Sequence, residues 1–171
     1  EYGALEQNWA IAQDDRGVVY VGNNAGVLEY DGVAWRVIAV PNKSVVRSLV
    51  NDGHGRIYLG AVNDFGYLAP GADGATRFVS LLEHVPPGNR AFGDVWRTLL
   101  APDAIYFQSQ QYLFRWANGR IQVWQPKTRF YRAGVAGGSV YVGQPETGLM
   151  RLAGDRLIEV PGGRQFTKET R

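Results

Sequence analysis

The sequence predicts an all-β fold: a β-propeller segment of about four blades, each a four-stranded antiparallel sheet. Three observations carry that expectation. A run of a turn, an apolar pair, a tyrosine, an apolar residue and a small or polar residue occurs four times, anchored on Tyr20, Tyr58, Tyr106 and Tyr141. The anchors are 38, 48 and 35 residues apart, near the roughly 40-residue length of a propeller blade. Apolar runs are short, rich in β-branched and aromatic residues, and broken by Gly, Asp and Asn, and no long window keeps a helical period without a Gly or Pro break. A sandwich or barrel is the competing all-β arrangement. Nothing in a sandwich requires the same run to return at this spacing with the same turn downstream, whereas stacked blades do.

The first unit (8–42) opens after a lead-in, with strands expected over 9–13, 18–23, 27–30 and 34–40. Asp14 to Gly17 and Asn23 to Gly26 supply turns, Asp31-Gly32 is a hairpin signal, and Pro41 ends the last strand. The second unit (44–94) repeats the order over 45–50, 56–61, 65–69 and 76–82, followed by a tail whose Pro86-Pro87-Gly88-Asn89 marks an irregular surface excursion over 83–93. The third unit (95–129) places strands at 95–100, 104–108, 112–116 and 121–124, with Asn118-Gly119 as its hairpin turn. The fourth (130–165) places them at 130–135, 139–142, 149–152 and 157–160, and 166–171 reads as the opening of a fifth. The repeated aromatics, among them Tyr20, Trp35, Tyr58, Phe65, Tyr67, Trp96, Tyr106, Trp116, Trp124 and Tyr141, are expected to form core between blades.

Composition narrows the function classes. The 171 residues are 45% hydrophobic and 20% charged with a net charge of +2, and no basic run occurs, so no nucleic-acid partner is expected. The absence of cysteine excludes disulfides, thiol nucleophiles and cysteine-ligated metals. No apolar stretch is long enough to span a bilayer, so this segment is not expected to insert in a membrane. Glu1 as the first residue suggests a chain that was processed or cut from a longer protein. His54 and His84, the two histidines, stand in a turn and in the excursion without a second histidine at metal-ligand spacing, so no metal, cofactor or catalytic residue is expected. The turn aspartates are explained by backbone capping.

Two constellations remain as ligand-binding candidates. Aligned on the tyrosines, the turn between the second and third strands contains Asn23 and Asn24, Asn63 and Asp64, Gln108 and Gln110, and Gln144 and Glu146. All fall at one end of a propeller, where amides that both donate and accept suit sugar hydroxyls, or else satisfy the turn backbone. The first strands, which line the channel, place Arg47, Arg97 and Arg132 at equivalent positions with Trp9 in the first unit. Converging guanidiniums there would hold a carboxylate or sulfate, or pair locally.

The runs from Asn8 to Gly17 and from Tyr20 to Gly32 with Trp35 resemble the first blade of the two-component regulator propeller family. Val46 to Leu49, Gly55 to Gly60 and Asp64 to Tyr67 are similar to its second blade. The third unit departs from the motif, with Gln108 where the family has Gly. The resemblance implies a periplasmic or extracellular ligand-sensing propeller of a membrane signalling protein such as a hybrid histidine kinase, with a polar small molecule such as an oligosaccharide as ligand. Four units are fewer than the family's usual seven, which implies either a fragment of a larger propeller or completion of the ring by homo-oligomerisation. A glycan-active propeller enzyme (lyase or hydrolase) and a protein-interaction scaffold are the alternatives.

Overall fold

The computed structural model describes residues 3–167, apart from the side chain at position 42. Its strands form four separate four-stranded antiparallel sheets, each in sequential order. The first blade comprises β1 (Asn8–Gln13), β2 (Val19–Asn23), β3 (Gly26–Tyr30) and β4 (Trp35–Ile38), and the second β5 (Ser48–Asn51), β6 (Ile57–Gly60), β7 (Phe65–Pro70) and β8 (Thr76–Ser80). The third comprises β9 (Arg97–Ala101), β10 (Ala104–Gln108), β11 (Leu113–Ala117) and β12 (Arg120–Trp124), and the fourth β13 (Arg132–Ala136), β14 (Ser139–Gln144), β15 (Gly148–Ala153) and β16 (Arg156–Glu159). Among the described residues the only helical turns are short 3-10 segments, one of them Gly163–Phe166, where the sequence suggests the start of a fifth unit. The rest of that expected unit, 168–171, lies outside the described residues.

Turn chemistry closes the meanders as the residue types dictate. The Asp14 carboxylate accepts the N–H groups of Arg16 and Val18, Asp52 accepts those of His54 and Arg56, and Asp31 accepts those of Val33 and Ala34. Successive first strands touch, β1 with β5, β5 with β9 and β9 with β13, so they are the innermost strands around the axis.

The core lies between blades. Tyr20, Val27 and Ile38 of the first blade pack on Ile57, Leu59 and Leu68 of the second. Tyr58 and Phe65 meet Phe107 and Phe114 of the third, with the Phe65 and Phe107 rings stacked at 4.2 Å. Tyr106 and Leu113 meet Val140, Val142 and Met150 of the fourth. Tyr20, Tyr58 and Tyr106 therefore each face the following blade. Tyr20, Tyr58 and Tyr106 are 2%, 7% and 3% exposed, while Tyr141, on the last blade, is only half-buried. Close approach of the blades explains the glycine two residues beyond the anchor: a Cβ on Gly60 would lie 2.3 Å from Val95 Cγ1, and one on Gly22 2.8 Å from the Val46 carbonyl oxygen.

The 83–93 excursion differs from the surface loop suggested by its prolines. Val85 and Phe92, each 1% exposed, fold back into the core between blades two and three. The Phe92 ring sits 5.5 Å from Phe65 and 5.0 Å from Phe114. Two apolar residues in a polar, Pro-rich stretch were the available signal.

Candidate functional site

The first strand of every blade begins with one extra residue. In the first blade the register jumps from Asn8 opposite Asn23 to Ala10 opposite Gly22, leaving Trp9 over. In the other three, the N–H groups of Arg47, Trp96 and Tyr131 donate to the carbonyls of Gly60, Gln108 and Gly143, the residues already paired with Ser48, Arg97 and Arg132. Two residues opposing one is a β-bulge, which re-aims the side chain at the strand entrance.

Register within the strands corrects the expected equivalence of the three arginines, since the bulge itself recurs in every blade. Arg97 and Arg132 share one register position with Ser48 and Ala10, whereas Arg47 shares the preceding position with Trp9, Trp96 and Tyr131. A shift of one residue changes where a strand side chain points. Arg97 and Arg132 are exposed. Arg47 instead lies between two indoles, its guanidinium carbon 3.9 Å from the Trp9 ring centroid and 4.8 Å from that of Trp96. The two indoles meet edge to face at 6.1 Å.

The stack is fixed from its edges. Arg47 Nε donates to Asp94 Oδ1 at 2.5 Å, and Trp9 Nε1 donates to Asn24 Oδ1 at 2.8 Å. Asp94 is itself held in place: Val62 and Asp94 form an isolated β-bridge, and Asn63 Oδ1 accepts the N–H groups of Phe92 and Gly93. Trp9 and Trp96 remain 36% and 37% exposed. Trp96 therefore differs from the inter-blade core role expected of it, because the bulge places it at the channel entrance. Asp94, which the sequence reading did not single out, completes the cluster.

The amide-rich turns behave unequally. Asn23 is fully buried, its Nδ2 donating to Leu5 O, Gln7 O and Asn8 Oδ1 and its Oδ1 accepting Leu5 N and Ala25 N. Gln144 is buried with Oε1 accepting Lys127 N, and buried Gln108 donates from Nε2 to Ser109 O. Asp64 accepts the Phe65 N–H and the Ser80 hydroxyl, and its burial pushes the carboxyl above the usual carboxylate range despite those hydrogen bonds. These four side chains serve the backbone or neighbouring side chains around them. Asn24 joins the tryptophan cluster, while Gln110 is exposed and Glu146, also exposed, accepts from the Thr128 hydroxyl. The structure thus brings Asn24, Asn63, Arg47 and Trp9 into one neighbourhood with Asp94 and Trp96, and leaves Gln144 and Glu146 against the 125–129 loop.

The two histidines do not meet: His54 stands in the β5–β6 turn, and His84 packs 5.0 Å from the Trp116 ring. Among the described residues no group of three His, Cys, Asp or Glu could hold a metal ion, and no helix is long and apolar enough to cross a membrane.

Four sequential sheets stacked through their faces around innermost first strands define a partial β-propeller of four blades. No protein-family model matches the chain, and no curated protein matches it. Solved structures share its fold. The extracellular domain of BT4673 from B. thetaiotaomicron, a candidate one component system, aligns with a TM-score of 0.65 at 18% identity over 94% of this chain and 23% of its own. A streptogramin B lyase aligns with a TM-score of 0.70 at 14% identity, covering 98% of this chain and 58% of the lyase. The WD40 propeller domain of Doa1 gives 0.64 at 14% identity, over 91% and 54%. At these identities the likeness is one of fold, and the chain spans less than a quarter of BT4673's domain and just over half of the other two.

Proposed function

We propose that this chain is a non-catalytic, extracytoplasmic ligand-binding propeller domain of a bacterial signalling protein, recognising a polar small molecule such as an oligosaccharide. The observation that carries this reading is the Trp9–Arg47–Trp96 stack at the channel entrance. Two half-open indoles, Trp9 hydrogen-bonded to Asn24 and both rings packed against the Arg47 guanidinium, form a preorganised apolar surface for a sugar ring, with little ordering cost on binding. Asn24, Gln110, Glu146, Arg97 and Arg132 lie at the same end and supply polar contacts. Asn23, Asn63, Asp64, Gln108 and Gln144 position that end from beneath. The resemblance of the first two blades to two-component regulator propellers supports the placement outside the cytoplasm, as does the fold shared with extracellular domains of such systems. Ligand binding would act on an attached output domain by favouring one of two arrangements.

A thermal-shift screen of neutral and acidic oligosaccharides tests the reading. A ligand present at a hundred times its Kd stabilises the folded chain by about 2.7 kcal/mol. Trp96→Ala should then weaken binding by roughly thirty-fold, the effect of losing an aromatic anchor worth about 2 kcal/mol. Binding of a protein with no response to any glycan would favour the interaction scaffold. Because a lyase shares the fold, the same glycans should be followed for products; turnover abolished by Asp64→Asn or Glu146→Gln would overturn the non-catalytic reading.

A further inference from the structure

Charge is unevenly distributed between the two ends of the propeller. Each meander places its first-to-second and third-to-fourth strand turns at one end, and its strand entrance, its second-to-third strand turn and its link to the next blade at the other. Of the nine aspartates, seven (Asp14, Asp15, Asp31, Asp52, Asp73, Asp103 and Asp155) stand in turns at the far end, where the turns carry two arginines, Arg16 and Arg56. The entrance end keeps the other two. Asp64 is buried with its carboxyl pushed above the usual carboxylate range, and Asp94 is paired with Arg47. Glu6, Glu83 and Glu146 also stand at this end, outnumbered there by lysines and arginines. A mouth rimmed by cations, with most of the acids at the opposite end, draws anions toward it.

These cations are not used up by the fold. Arg97, Lys127 and Arg129 are exposed and, among the described residues, stand in no ion pair. Arg97 follows Trp96 directly. The Ser48 hydroxyl donates to Val95 O and shares a hydrogen bond with the Thr98 hydroxyl, which holds this stretch of β9 against the start of β5, next to Arg47. Lys127 and Arg129 lie on the link between blades three and four, where Gln144 Oε1 accepts the Lys127 N–H. Arg47 itself spends Nε on Asp94, while its Nη1, closed off from solvent, meets no acceptor among the described residues. Its charge is therefore only partly compensated beside the two indoles, and a charged donor short of partners favours a nearby anion.

We propose that the ligand taken at the Trp9–Trp96 surface is anionic, a sugar carrying a carboxylate or sulfate: its ring lies on the indoles, Arg97 holds the charged group, and Arg47, Lys127 and Arg129 supply the field that selects it. This inference rests on the sugar-ring reading of the stack and adds the charge of the ligand to it.

NMR titration of the isotope-labelled chain with D-glucose, D-glucuronate and D-glucose 6-sulfate, which differ at a single carbon, tests this. The readout is the indole N–H signals of Trp9 and Trp96, assigned with Trp9→Phe and Trp96→Phe. At least one of the two anions should move both signals saturably and bind roughly ten-fold more tightly than glucose, the margin of a charge-assisted over a neutral hydrogen bond. The tighter anion identifies the charged group. Arg97→Gln, at an exposed side chain, should reduce the margin to about two-fold, and Asp94→Asn, which removes the negative charge beside Arg47, should widen it about three-fold. The margin should also shrink between about 0.01 and 0.15 M salt, as the screening length falls from roughly 30 to 8 Å. Glucose that moves both indoles and binds as tightly as the anions would overturn the inference while the sugar-ring reading stands. Anions that bind without moving the indoles, or a margin that Asp94→Asn does not widen, would overturn it as well. No movement of the two signals by any of the three probes would overturn both.

Discussion

Phe92→Ala measures whether the 83–93 segment is a structural part of the propeller. Phe92 is 1% exposed and touches Phe65 and Phe114, on two different blades, so its removal opens a cavity where three segments converge. Its backbone is independently anchored, since Asn63 accepts the N–H groups of Phe92 and Gly93, and the surroundings therefore cannot collapse freely into the void. The transfer and cavity contributions together cost about 3–5 kcal/mol. A chain of this length loses about 2–4 °C of Tm per kcal/mol, so the expected fall is on the order of 10 °C. Urea denaturation with a matched m value is the assay. Val33→Ala, at a residue 90% exposed, serves as the control and should change stability by less than about 0.5 kcal/mol. Phe65→Ala combined with Phe92→Ala should cost less than the two separate losses added, because the rings share one cluster. A Phe92→Ala loss under about 1 kcal/mol would show that the segment is a surface loop after all.

Two further outcomes follow from buried ionisable groups. Burial raises the Asp64 carboxyl above its ordinary range, more than the Ser80 and Phe65 hydrogen bonds lower it, so its ionisation opposes folding and stability falls as pH rises through the folded-state value. Asp64→Asn should therefore gain stability over the wild type at neutral pH, and the gain should shrink below the ordinary carboxylate range in denaturation curves; a gain that grows on acidification refutes the assignment. Burial, with the Glu29 and Asp14 carboxylates nearby, pushes the Tyr20 hydroxyl up to about 12, and burial with Asp103 does the same to Tyr106, also to about 12. Tyr20 and Tyr106 should resist ionisation in an alkaline absorbance titration until near pH 12, with stability declining from the ordinary tyrosine value upward; ionisation of both at the ordinary value in the folded chain would contradict this.

The architecture was legible because it rests on local chemistry repeated in sequence. Tyr20, Tyr58 and Tyr106 each mark a second strand, and Asp31 and Asp52 mark turns that those residue types close with their own carboxylates. The site was less legible for a geometric reason. Arg47 stands 11 residues before its anchor Tyr58, but Arg97 and Arg132 stand nine before Tyr106 and Tyr141, a difference that grouping the arginines by strand does not register. The bulge at Trp96 inserts a residue that alternation along a strand does not count, and so takes it out of the core. Residue type also does not say whether an amide turns inward. Asn23 and Asn24 are neighbours of the same kind, yet one is consumed by backbone carbonyls and the other holds an exposed indole. Asp94 carried no signal of its own, since its role depends on Val62 and Asn63, about 30 residues earlier in the chain.

The extra residue at each strand entrance separates what the chain must keep in order to fold from what it can vary at its mouth. It sits outside the alternation that fills the core, and across four blades the position already holds Trp, Arg, Trp and Tyr while the sheets behind it keep the same order. A propeller built this way can exchange the side chains at its mouth without re-registering a strand.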